Sequence, residues 1–142
     1  MAETATEEYI AGRRRAPACG GSCQAFWTLR SGYTLAPVLA GLDKFRHLLV
    51  DWDQYLAPQM RERMSDRGRR FMRAVGVIEV AAGLLTAVKP RIGGYVVGGW
   101  LIGIIGNLLL SGKYRDIALR DLGLALGAFS LARLAEERDE RS

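Results

Sequence analysis

Residues 92–110 read IGGYVVGGWLIGIIGNLLL, nineteen consecutive positions without a charged side chain. At about 1.5 Å of rise per residue, a helix of that length is about 28 Å long, which matches the hydrocarbon thickness of a bilayer. The chain has 142 residues, enough for one domain, and the interior of a soluble domain that small is too narrow to enclose such a helix on every side. The stretch predicts a membrane-spanning helix.

Its neighbours follow on the same terms. Upstream, Lys89-Pro90-Arg91 makes a tight turn, and before it residues 71–88 form a second apolar run with one internal acid, Glu79. Downstream, Ser111-Gly112-Lys113 turns the chain into a fourth segment at 114–132, whose hydropathy is weakened by Asp116, Arg120 and Asp121. A further segment at 24–45, QAFWTLRSGYTLAPVLAGLDKF, holds Arg30 and Pro37. Pro37 should leave the Tyr33 carbonyl without its helical partner and bend the helix, which bundles in lipid tolerate. The expectation is an all-α protein, a polytopic bundle of four transmembrane helices over 21–135, with a flexible tail at 1–20 and a charged tail at 136–142. The longest connection, 46–70, should carry an amphipathic surface helix at 47–57. Trp52 and Tyr55 would lie at headgroup level and Pro58 would end it.

Charge is placed accordingly. Twenty Lys and Arg against fifteen Asp and Glu leave +5, mostly in the tails and connections, where they can meet anionic lipid. No stripe of basic residues interleaved with aromatics suggests a nucleic-acid partner. Arg13-Arg14-Arg15 is followed by small and polar residues, whereas a secretory or twin-arginine signal needs an apolar stretch there. Four spans put both tails and the 89–91 turn on one side, and the 46–70 loop and 111–113 turn on the other. Lys and Arg are abundant on both sides and do not fix the orientation; the lack of a signal favours both tails in the cytoplasm. The glycine pairs Gly94–Gly98, Gly99–Gly103 and Gly123–Gly127 each share a helix face. They predict close packing within the chain in preference to a dimer contact.

Polar residues within spans are the candidates for function, because a charge in hydrocarbon costs about 2.5–3.5 kcal/mol even on lenient scales. Asp43, Lys44, Asn107, Arg120 and Asp121 fall in the half of the bilayer nearest the long loop, with Glu79 near the midplane. They predict either an inward polar pocket or an internal hydrogen-bonded staple. Arg120 is the expected partner of Glu79, since its five donors could satisfy a carboxylate and a nearby amide together. Asp121, about 100° away around the helix, is expected to turn toward headgroups or the Asp43–Lys44 corner. Cys19 and Cys23 enclose CGGSC, a gap wider than that of C-x-x-C redox motifs. A redox pair is one reading, and plain cysteines near the membrane surface are the preferred one. His47 stands alone, which excludes a bis-histidine haem, and no residue set suggests a metal site. No Ser/His/Asp set or phosphate loop is present, and no cofactor bound by the chain itself is expected.

With these residues in view, the chain resembles the DoxX-like family of small bacterial membrane proteins. FWTLRSGYTLAPVLAGLDKF (26–45) looks like the family's opening helix, which ends in a glycine followed by Asp-Lys. VGVIEVAAGLLTAVKPRIGGYVVGG (75–99) carries its Gly-x-x-Glu-x-x-x-Gly pattern as Gly76, Glu79 and Gly83, and YRDIALRDLGLALGAFSLARL (114–134) completes the match. The resemblance implies a four-helix bundle in the bacterial inner membrane. Some relatives are subunits of a thiosulfate:quinone oxidoreductase, and others are linked to membrane-associated thiol or oxidative-stress handling.

Two functions follow as expectations. One is an accessory or scaffold subunit that packs against other membrane subunits and lipid. The other is the membrane component of a thiol- or sulfur-to-quinone system, with quinone as the cofactor and Glu79, Arg120 and Asp121 handling protons. The second lacks an evident electron carrier in the chain, and the first is preferred. A transporter would need the chain to assemble as a homo-oligomer to make room for alternating access.

Overall fold

A computed structural model describes residues 19–46, 68–112 and 114–140. These residues form four helices: α1 (Gly21–Arg46), α2 (Gly68–Val88), α3 (Pro90–Ser111) and α4 (Arg115–Glu140). The expected 1–20 tail, for all but its last two residues, and the expected surface helix at 47–57, with Trp52 and Tyr55, lie outside the described residues.

Each boundary has a local cause. Lys89, at φ −129°, breaks the helical path, and Pro90 opens α3 where its missing N–H costs nothing. At the far end Gly112 adopts φ 69° and donates its N–H to the Leu109 carbonyl, a left-handed cap that favours glycine. α1 runs unbroken through Pro37. α4 extends past the expected end at 132, so most of the segment read as a charged tail is helix through Glu140. Charge at its end misled the reading: Glu136 and Arg138 are built into contacts described below.

α1 packs mainly on α2 and α3 mainly on α4, with α2 against α3 joining the two pairs and a smaller contact between α1 and α4. Small residues set the approach. On α4, Ala118, Asp121, Ala125, Ala128, Ala132 and Ala135 are all buried, and their alternating steps of three and four draw one seam along the helix. Gly94 on α3 lies against this seam, where a β-carbon would meet the Ala128 carbonyl oxygen at 2.7 Å; at Gly98 it would meet the Phe129 ring at 2.6 Å. Between α1 and α2 the backbones themselves meet: a β-carbon on Gly41 would be 2.5 Å from the Gly76 carbonyl oxygen, and one on Gly76 2.7 Å from that of Gly41. Gly83 lies similarly against Thr34 and Val38.

Of the expected glycine faces, Gly94–Gly98 is a packing face, whereas Gly99, Gly103 and Gly123 meet nothing within 4 Å. Gly127 makes room for the Tyr33 hydroxyl, which donates to the Leu124 carbonyl at 2.5 Å and ties α1 to α4. Equal spacing on a helix does not tell which face meets a neighbour.

Large apolar side chains lie outside. Leu35, Leu39 and Leu42 on α1, Val77 and Leu84 on α2, Ile102 and Leu110 on α3, and Leu119 and Leu126 on α4 are all exposed. The inside holds Asp43, Lys44, Glu79, Thr86 and Asp121 among alanines and a few larger residues. Among the described residues, two helical stretches, Arg70–Val88 and Pro90–Ser111, are long and apolar enough to cross a membrane.

The glycine contacts make a paired prediction. Gly76→Ala should lower stability in detergent by about 1–3 kcal/mol, as overpacking does. Gly99→Ala should be neutral or stabilising by up to about 1 kcal/mol, the gain in helix propensity. Thermal unfolding followed by circular dichroism compares them; equal losses at both sites would deny the close α1–α2 contact.

Candidate functional site: a buried Lys–Glu pair

The close approach of α1 and α2 decides what the interior polar residues meet. Gly76 has no side chain where the Lys44 stem passes; a β-carbon there would be 3.2 Å from the Lys44 Cβ. One turn further along α2, Glu79 presents its carboxylate to the lysine. Lys44 Nζ donates to Glu79 Oε2 at 2.6 Å, with the two side chains 4% and 9% exposed. Trp100, from α3, directs its indole N–H at Glu79 Oε1 across 3.5 Å, a long contact. Three helices thus converge on one carboxylate.

A charge removed from water is costly unless it is paired at short range, and the pair gains strength from the low dielectric that makes each member costly alone. An ammonium and an indole on opposite carboxylate oxygens let Glu79 stay within the bundle. This acid–base pair can fix the register of α1 on α2.

The expected partner of Glu79 was Arg120, and the structure corrects this. Arg120 is 68% exposed and folds back on its neighbour, donating from Nη2 to Asp121 Oδ1 at 3.1 Å. Asp121 takes the inward direction on the alanine seam, with its side chain 7% exposed. Between residues about 100° apart, the shorter one fits an interior lined by alanine, while the long guanidinium stem reaches outward and clips the carboxylate from the rim. Of the expected cluster, then, Lys44 and Glu79 meet, and Arg120 and Asp121 meet each other. Asp43 is buried at the end of α1, and Asn107 is half-buried two turns beyond Trp100. Trp100 was missed, although its place within an uncharged span was a signal: an indole N–H in lipid seeks an acceptor.

At the opposite end lies a second polar node, centred on Glu136, which falls in the segment expected to be a charged tail. Glu136 on α4 accepts from Arg133 Nη1 at 2.9 Å, from Arg91 Nε at 3.2 Å and from the Tyr95 hydroxyl at 3.2 Å. The Arg133 hydrogen bond, foremost, holds the Glu136 carboxyl below the usual carboxylate range. Nearby, Arg30 donates to the Ala87 carbonyl and its guanidinium lies 4.8 Å from the Trp27 ring, while that of Arg138 lies 4.5 Å from the Phe26 ring. Cys19 and Cys23 are joined in a disulfide at this same end, so the preferred reading of two plain thiols does not hold. The bond links the residue two before α1 to one in its first turn, with Cα atoms 5.4 Å apart. Among the described residues no group of three or more metal-ligating side chains occurs.

No family model, no curated protein and no solved structure matches the chain.

Two predictions come from these contacts. Lys44→Ala and Glu79→Ala should each cost about 3–5 kcal/mol, because each strands a buried charge. Combined, they should cost less than their sum, with a coupling above about 1 kcal/mol, whereas Glu79 and Arg120 changes should add within about 0.5 kcal/mol. Unfolding of the single and double variants in detergent measures both cycles; coupling at 79–120 in place of 44–79 would reverse the assignment.

The second concerns pH. Folded Glu136 binds its proton more weakly than the unfolded chain does, so its contribution is full above the ordinary carboxylate range and is lost as pH falls through the lowered value. Acid titration of backbone amide exchange near the C-terminal end of α4 should show this loss, and Glu136→Gln should abolish that pH dependence. An unchanged acid profile in the variant would show that Glu136 does not hold the helix end.

Proposed function

We propose that the chain is a four-span protein of the bacterial inner membrane, serving as an accessory or scaffold subunit of a larger membrane complex. The observation that carries the reading is the inverted polarity of the bundle. Exposed large aliphatic side chains occur on all four helices, leucines on α1 and α4 included, while carboxylates and a lysine are buried between them. In water such a surface would drive association, whereas in lipid it is the ordinary outer face of a bundle.

The subunit role draws on what the bundle contains. Its buried polar groups find partners within the chain: Lys44 with Glu79, Asp121 with Arg120 and Thr86 with the Ala82 carbonyl, and this suits a rigid framework. The outward face of α3, with Gly99, Gly103 and Gly106 open, lets a neighbouring helix approach closely. A second reading, the membrane component of a thiol- or sulfur-to-quinone system, is favoured by the Cys19–Cys23 disulfide at one end of the bundle.

Membranes containing the tagged chain, washed with alkaline carbonate and then extracted in mild detergent, test the proposal. The chain should resist the wash and elute with stoichiometric membrane partners. Release by carbonate would refute the spanning topology, and elution of the chain alone with bound quinone would favour the second reading.

A further inference from the structure

The Cys19–Cys23 disulfide is poorly placed to stabilise the fold. Both cysteines belong to one short stretch at the start of α1, so the bond ties no two helices together. The turn it spans is already closed by the backbone, since the Gln24 N–H donates to the Gly20 carbonyl at 3.0 Å and the Gln24 side chain donates to the Cys19 carbonyl at 3.2 Å. The anchoring of this end comes from elsewhere: Phe26 is buried with Leu131 and Ala135 of α4.

The two sulfurs differ in setting. Cys19 precedes the helix and is exposed, whereas Cys23 is half-buried in the first turn of α1. There the backbone N–H groups have no helical acceptors and the helix dipole favours negative charge, so a thiolate on Cys23 is stabilised. One turn on, Trp27 lies on the same face, half-exposed, with the Arg30 guanidinium over its ring. An accessible electrophilic sulfur is thus bonded to a sulfur that leaves readily as thiolate.

We infer that Cys19–Cys23 is a thiol–disulfide exchange site that takes electrons from an external dithiol. A thiolate of the donor attacks the Cys19 sulfur, a donor–Cys19 bond forms, and the Cys19–Cys23 bond breaks with its electron pair leaving on Cys23. The donor's second thiolate then attacks its own sulfur in the mixed disulfide, forming the donor disulfide and releasing Cys19. Two electrons pass from the dithiol to the cysteine pair, and the two protons released by the donor are available to the new thiolates. The inference deepens the thiol half of the second reading and needs neither quinone nor a partner subunit, so its failure leaves the accessory-subunit reading standing.

The test uses the full chain in detergent, folded and oxidised, with reduced glutathione as the probe thiol. After brief exposure and acid quenching, mass spectrometry locates the adduct. Glutathione should occupy Cys19 over Cys23 by at least about tenfold, with Cys23 recovered as a free thiol. In the fully reduced chain, alkylation of Cys23 should show a pH midpoint at least about one unit below that of Cys19. An adduct that forms only after unfolding, an even division between the cysteines, or equal alkylation midpoints would overturn the inference.

Discussion

α1 and α2 touch backbone to backbone at Gly41 and Gly76, and the polar interior depends on that contact. A side chain at either position would push the helices apart, and the Lys44 ammonium would then fall short of Glu79. Separation would break the buried ion pair, so the packing and the pair stand or fall together. Trp100 brings α3 into the same arrangement through the other carboxylate oxygen. The alanine seam of α4 then closes the bundle against the glycines of α3.

The bundle differs in where bulk is placed from one cored by large apolar side chains. Large side chains between helices would hold them at ordinary separation, leaving the interior to hydrophobic packing. Here small residues line most of the contacts, with Phe26, Met72, Leu108 and Leu131 the larger buried exceptions, so helix association draws on close dispersion contacts and a few internal polar bonds. Polar groups are concentrated at three levels. Arg30, Arg91 and Glu136 mark one end, Lys44 and Glu79 lie within, and Arg120 with Asp121 occupies the rim of the other half. The disulfide belongs to the first of these levels, apart from the buried pair, so exchange at the cysteines and proton chemistry at Glu79 would be separate events.

Much of the architecture was written in the chain itself. The uncharged run at 92–110, the Lys-Pro-Arg turn and the glycine at 112 determine α3 and the end of α2, because length, a missing N–H and a left-handed cap are local properties. The burial of Glu79, Lys44 and Asp43 was also legible, since their positions within apolar segments leave few alternatives to facing inward, whereas the inward turn of Asp121 in place of Arg120 was not. What the sequence did not determine was who meets whom. Lys44 or Arg120 could have answered Glu79, and Gly94 or Gly99 could have faced α4, because periodicity gives a face and not its partner. The tertiary structure decided both, through the rotation of each helix imposed by close contacts at Gly41, Gly76, Gly94 and Gly98. It likewise decided that Cys19 and Cys23 are bonded, and that the acidic end of α4 is helix held by Arg91 and Arg133. The choice of helix partners and the Arg91–Glu136 contact rest on distances between segments, which no local pattern encodes.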